Sequence, residues 1–150
     1  MTGPVYLSIP DKEYSKIKTH VLAVFPQEAC GLMAGLGCEI SDIIPITNRL
    51  HSPTAYFMDP GDLFAGFKKI DSFGLELVGI YHSHPTGQAE PSLKDKTEAI
   101  SPDIVYVILA PDRVGGGKID QEGCWAAIVW QVRGFLIYRD QMTEIELNCG

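Results

Sequence analysis

Basic residues are scarce in this 150-residue chain: 12 Lys and Arg stand against 19 Asp and Glu, a formal net charge of −7. A deficit of that sign argues against a non-specific nucleic-acid binder or a protein of anionic membrane surfaces, because both need a basic face. No apolar run approaches the ~18 residues of a membrane-spanning helix. The start, Met1-Thr2-Gly3-Pro4-Val5-Tyr6, has neither the basic nor the apolar segment of a secretion signal. The expectation is therefore no nucleic-acid partner, no membrane, and by default a cytoplasmic location. Cysteine is sparse too. Cys30, Cys38, Cys124 and Cys149 lie far apart with no C-x-x-C pair, a pattern of reduced, mostly packed thiols and not of a disulfide framework. No internal repeat, low-complexity tract or Pro/Ser-rich linker divides the sequence, so residues 1–150 are expected to form one domain around one core.

What the chain does have is 45% hydrophobic and 21% charged residues, arranged in periodic blocks. Residues 9–24 place Ile9, Tyr14, Ile17, Val21 and Leu22 at near-helical spacing, with Pro10 and Asp11 suited to a first turn and Pro26 as a stop. Residues 29–35 and 39–46 read as two strands joined by a turn around Gly35 to Gly37. A short strand is expected at 56–58. Asp59 then serves as N-cap and Pro60 as first residue of an amphipathic helix that runs to about Phe73 and ends at Gly74. Residues 75–81 and 104–109 are apolar strands, and 92–100 a short helix capped by Ser92. Residues 125–131 and 135–138 suggest a hairpin through Arg133-Gly134, continuing towards Leu147. This order predicts an α/β fold: a single mixed, mainly antiparallel β-sheet flanked by helices.

The most informative segment is His82-Ser83-His84-Pro85, followed by Ser92-Leu93-Lys94-Asp95. On an extended strand, residues i and i+2 face the same way, so both imidazoles aim at one point while Ser83 turns aside. Pro85 cannot continue a central ladder, which sets the pair at a strand end. Six residues later Ser92 caps a helix whose first turn carries Asp95. Two imidazole nitrogens and a carboxylate oxygen form a three-ligand set for Zn²⁺ at about 2.0–2.2 Å, with the fourth position left for water. Such an N₂O set is not exclusive to zinc. An H-x-H pair alone is a weak signal, and Asp95 alone is an ordinary first-turn carboxylate; their joint register is what points to a metal.

These residues, together with Glu28 in Gln27-Glu28-Ala29-Cys30-Gly31-Leu32, resemble the JAMM (MPN+) metalloprotease family. Its pattern is an early glutamate, then H-[ST]-H-P, six residues, Ser, two residues, Asp. Every position is filled here, by Glu28, His82, Ser83, His84, Pro85, Ser92 and Asp95. The segments around Glu28 and Met58-Asp59-Pro60 are similar to the short prokaryotic branch. The resemblance implies a JAMM/cytidine deaminase-like sheet and a zinc peptidase. It makes His82, His84 and Asp95 ligands of one Zn²⁺, Glu28 the general base and acid, and Ser92 a donor to the oxyanion. The implied substrate is a ubiquitin-like or sulfur-carrier protein cut after its C-terminal glycine, at a peptide or isopeptide bond, its tail added as a strand at a sheet edge. The chain has no room for the long insertions of linkage-specific eukaryotic members. A non-catalytic scaffold of the same fold and a small-molecule metal hydrolase are the competing readings; retention of every motif residue disfavours the scaffold.

Other marked residues have plainer readings. His20 is expected to be exposed on the first helix, and His51 has no assigned role. Cys30 is read as a packed thiol despite its closeness to Glu28. Trp125 and Trp130 suit packing, and Gly115-Gly116-Gly117 a flexible turn.

Overall fold

A computed structural model describes residues 5–112 and 129–150. In chain order the elements are β1 (Tyr6–Ile9), α1 (Asp11–Val24), β2 (Cys30–Leu36), β3 (Glu39–Ile46), α2 (Pro60–Ser72), β4 (Glu76–Ser83), α3 (Leu93–Glu98), β5 (Val105–Pro111), β6 (Trp130–Tyr138) and β7 (Gln141–Cys149). Helix α1 buries Ile17 and Val21, four residues apart, while Asp11 and Glu13 in its first turn complement the positive end of the helix dipole. Helix α2 begins as its sequence suggests, with the Asp59 carboxylate accepting from Asp62 N at 3.0 Å and Pro60 in the first turn. Asp42 on β3 pairs with Lys16 of α1 and Lys69 of α2, both at 3.3 Å, and so fastens both helices to the sheet. Partial burial opposes the charge on Asp42, but the hydrogen bonds from Lys69 and Lys16 outweigh it and hold the carboxyl below its ordinary range.

The expected single mixed, mainly antiparallel sheet flanked by helices is corrected in one respect: the strands close into a barrel, in the order β1-β3-β2-β4-β5-β6-β7. Closure depends on β1, which pairs in parallel with β7 from Tyr6↔Glu146 to Ile9↔Cys149 and touches β3 at Ser8↔Glu39. Four pairings are antiparallel, and β4 with β5 is parallel like those two. A parallel pair needs a long crossover, and here that crossover, residues 84–104, carries α3. Alternation along the strands sorts the core into two layers. Met33, Tyr81, Val107 and Leu109 pack with Ile17 and Val21 of α1; Leu32, Ile80, Tyr106 and Ile108 pack with Ile70 of α2.

Three local expectations change. Residues 56–58 form no strand but a single bridge, Asn48↔Met58. The hairpin does not turn at Arg133-Gly134, which lie inside β6; it turns at Arg139-Asp140, both in the left-handed region at φ 50° and 65°. Gly134 instead makes room for a neighbour, since a Cβ there would meet the Leu147 side chain at 2.7 Å and force it to shift. Residues 125–128, Cys124 and Gly115-Gly116-Gly117 lie outside the described residues. Among the described cysteines all three are free and only Cys30 is buried, so "mostly packed" holds for that thiol alone. No helix among the described residues is long and apolar enough to cross a membrane.

Candidate metal centre

Strand β4 carries His82 near its end, and His84 comes directly after its last residue, Ser83. Both imidazoles lie on the α2 side of the sheet, while Tyr81 and Ser83 face α1. His82 is fully buried, with the Tyr56 ring tilted against it at 4.9 Å between centroids. His84 follows the strand, its N–H donating to Leu109 O at 2.8 Å and extending the β4–β5 pairing by one residue. Its Nδ1 lies 2.7 Å from Gln88 O. A ring nitrogen facing a carbonyl must carry the proton, so neutral His84 turns an unprotonated Nε2 inward, the arrangement of a metal-ligating histidine.

The inward atoms form a nearly equilateral triangle. His82 Nε2 and His84 Nε2 are 3.0 Å apart, and each is 3.1 Å from Asp95 Oδ2. Ring protons cannot satisfy all three edges at once, and His82 Nδ1 is buried without a hydrogen-bond partner among the described residues. A tetrahedral ion with bonds of about 2.0 Å has ligand–ligand edges of about 3.3 Å, so the donor set fits one small divalent cation. Burial pushes the His82 imidazole down, favouring the neutral ligand form. For His84 burial acts downward too, but the Asp95 and Gln88 hydrogen bonds outweigh it and the net shift is upward.

Asp95 is held in place by a capping box. Ser92 Oγ accepts from Asp95 N at 3.1 Å, and Ser92 N donates to Asp95 Oδ2 at 2.9 Å. Ser92 therefore caps α3 as its sequence position suggests, and it is exposed. Burial raises the Asp95 carboxyl, yet the two imidazoles at 3.1 Å and the Ser92 N–H prevail and hold it well below the carboxylate range. The crossover loop is pinned from outside: Arg133 on β6 reaches Glu90 at 2.9 Å and grips Glu144 on β7 with two bonds of 2.8 and 2.9 Å.

Glu28 reaches the same place through strand register. Strand β2 pairs antiparallel with β4 at Cys30↔His82, and Ala29 and Ser83 extend that match by two bonds: Ser83 N to Ala29 O at 3.1 Å and Ala29 N to Ser83 Oγ at 2.8 Å. One residue further, Glu28 stands opposite His84. Its carboxylate and the two histidine ligand atoms lie within 4.8 Å of one another. Burial, with Asp95 nearby, pushes the Glu28 carboxyl up to about 7 against the opposing pull of His84 and Lys94. A groove of about 190 Å³ runs past Glu28, His84 and Ser92 between Pro53-Thr54 and Thr86-Gly87. All five residues singled out from the sequence thus meet at one end of β4.

Sequence profiles of prokaryotic homologs of the JAB domain match residues 10–127. This chain is a prokaryotic JAB-domain protein. The probable TtuB-protein conjugate cleaving protease of Thermus thermophilus is 40% identical over 109 residues, 72% of each chain. The CysO-cysteine peptidase of Mycobacterium tuberculosis is 38% identical over 113 residues, 72% of this chain and 76% of that one. A Desulfitobacterium hafniense protein solved in solution is similar over 96% of this chain and 92% of its own, at 26% identity and a TM-score of 0.76. A JAB1/MPN domain protein from Archaeoglobus fulgidus shares the fold at 16% identity and a TM-score of 0.55, over 98% of this chain and 100% of that one.

Several residues of this JAB domain's site carried no readable signal. Ser83 was expected only to turn away from the metal; its hydroxyl locks the Glu28 segment to β4. Tyr56 covers His82, and Gln88 sets the His84 tautomer through its backbone, which no residue type announces. His20 is not exposed as expected: it is half-buried, with Nδ1 2.7 Å from Tyr81 Oη, and burial pushes its imidazole down. Cys30 is the packed thiol expected, 3.5 Å from Ile46 O, and burial pushes it up to about 12.

Proposed function

We propose that this JAB domain is a zinc-dependent peptidase that hydrolyses the amide bond after the C-terminal glycine of a ubiquitin-like or sulfur-carrier protein. The chain acts as one catalytic domain with one Zn²⁺, in a reducing cytoplasmic compartment that suits its free thiols. The observation that carries this reading is the His82–His84–Asp95 triangle with a buried glutamate beside it. The relatives' names, a TtuB-protein conjugate cleaving protease and a CysO-cysteine peptidase, support a small carrier protein as the acyl side of the bond.

His82, His84 and Asp95 would hold the metal. When bound, zinc supplies Lewis acidity and brings a water pKa near ~7. The chain's own residues do the rest. Glu28, close to both histidines and poised near neutrality, takes the proton of the attacking water and returns it to the leaving amine as the C–N bond breaks. Ser92 accepts from Asp95 N–H through a lone pair, so its own hydrogen is free to donate to the substrate oxygen as negative charge develops there. The groove beside Glu28 and Ser92 is where the slender, glycine-ended tail of the carrier would lie. Strand addition at the outer edge of β3 has no support: Pro45 lacks an N–H, Ile43 N–H is near Asp42 Oδ1, and Thr47 N–H is taken by Asp62 Oδ2. An edge blunted in this way resists pairing.

The test is incubation of the purified, zinc-loaded protein with a small ubiquitin-like protein carrying a C-terminal extension, followed by mass measurement. Release of the intact carrier ending in glycine is expected, and Glu28→Gln should abolish it. No cleavage of protein fusions, isopeptide conjugates or amino-acid adducts alike would overturn the reading in favour of a scaffold.

A further inference from the structure

We propose that Asn48 is a positioning residue for this reaction, its carboxamide joining the main chain at Glu28 to the loop that walls the groove. The inference rests on the peptidase reading above and assigns a role to a residue outside the motif. Asn48 follows β3 and is 6% exposed, yet every hydrogen-bonding capacity of its side chain is in use. Nδ2 donates to Glu28 O and to Ala55 O, both at 3.0 Å. Oδ1 accepts from Leu50 N at 3.0 Å and from Phe57 N at 3.2 Å. A carboxamide has two N–H donors and two acceptor lone pairs, so this side chain is saturated.

The four partners are not equivalent. One is the carbonyl of Glu28 itself; the others lie at both ends of the loop between Asn48 and Met58. Arg49 N donates to Phe57 O at 2.8 Å, and Glu28 N donates to Ser52 O at 2.8 Å, so the loop closes at its neck and leans on the Glu28 segment. Within it, Pro53 and Thr54 line the groove and Tyr56 covers His82. The backbone that aims the proton carrier and the wall that aims the substrate are therefore fixed to each other through one buried amide. Asn48 touches neither the metal donors nor the groove, so it acts through Glu28 and the loop. Buried amides with all partners satisfied specify a single arrangement, and losing half the partners leaves carbonyls unpaired. Reactions that depend on a positioned base lose about 10- to 100-fold in rate for displacements near 1 Å.

The substitutions separate the two halves of the amide. Asn48→Asp keeps acceptors for Leu50 and Phe57 N–H but, as a carboxylate, has no proton for the Glu28 and Ala55 carbonyls; Asn48→Ala loses all four bonds. On a ubiquitin-like protein with a C-terminal extension, kcat is expected to fall about 10- to 100-fold in Asn48→Asp, with KM within about threefold and zinc content unchanged. Asn48→Ala should lose kcat at least as far and raise KM as well. Folded, zinc-loaded Asn48→Asp with wild-type kcat overturns the positioning role and leaves the peptidase reading intact. A wild-type protein that cleaves nothing overturns the reading and this role with it. Should both variants fail to fold, amide hydrogen exchange in the wild type decides: Leu50 and Phe57 N–H are expected to be protected, and fast exchange at both overturns the proposal.

Discussion

Removing the charge of Glu28 should make the metal-free protein more stable at neutral pH while abolishing its activity. In the unfolded chain this carboxyl ionises near 4.5; in the fold, burial pushes it up to about 7. A raised folded-state value means that the native protein binds more protons than the unfolded one between those limits, so stability falls as pH rises through them. The contribution is intact below about pH 4.5 and fully lost above about pH 7. At 1.36 kcal/mol for each pH unit, an interval of about 2.5 sets an upper bound of about 3.4 kcal/mol. Gln cannot ionise, so Glu28→Gln should match the wild type at pH 4 and gain up to about 3.4 kcal/mol at pH 8. Urea unfolding of chelator-treated wild type and variant across that range measures the difference, which also includes the smaller change at His84, whose imidazole the Glu28 charge helps to raise. Curves that stay parallel from pH 4 to pH 8 would refute a buried, proton-retaining Glu28 and remove the physical basis for its role as base.

Purified wild type is expected to carry about one zinc per chain, and the His82→Ala/His84→Ala double variant none, by elemental analysis of folded protein; metal retained in the double variant would exclude the triangle as the site. Ser83→Ala leaves the Ala29 N–H without its hydroxyl acceptor and should cost about 1–3 kcal/mol in chemical unfolding, with Ser83→Thr largely restoring it; no loss in the alanine variant would show that the hydroxyl does not hold the two strands. Gly31→Ala brings a methyl onto the Tyr81 ring and should destabilise by about 1–3 kcal/mol, read by the same assay, and break the His20–Tyr81 link; an unchanged midpoint would mean the ring yields without penalty.

Which of these features could be foreseen depends on how far apart their causes lie along the chain. The convergence of His82, His84 and Asp95 was legible because its whole register fits between His82 and Asp95: strand alternation, a proline stop and a capped first turn are local rules, and they left only the loop path open. Helix α2 was legible for the same reason, since Asp59 and Pro60 mark its start and Gly74, at φ 66°, its end. Glu28 was different. In its own segment it is an ordinary glutamate, and only the family resemblance singled it out; the physical reason is the Cys30↔His82 register, locked by Ser83, and nothing within residues 27–32 reveals it. Barrel closure was missed because it rests on four residues of β1 finding a partner near the opposite end of the chain, too short a strand to show a pattern by itself. The misplaced hairpin has a sharper lesson. Glycine at 134 suggested a turn, but its side of the strand faces Leu147, while the true turn uses Arg139 and Asp140 with no glycine at all. A glycine signals either freedom of the backbone or the closeness of a neighbour, and a single sequence does not separate the two. Asn48 is the extreme case: four bonds converge on a residue whose local context, Thr47-Asn48-Arg49, announces only a loop. Those bonds exist only after β2, β3 and the loop have come together, which is why a convergence of this kind is read from structure while the His82–His84–Asp95 register can be read from spacing.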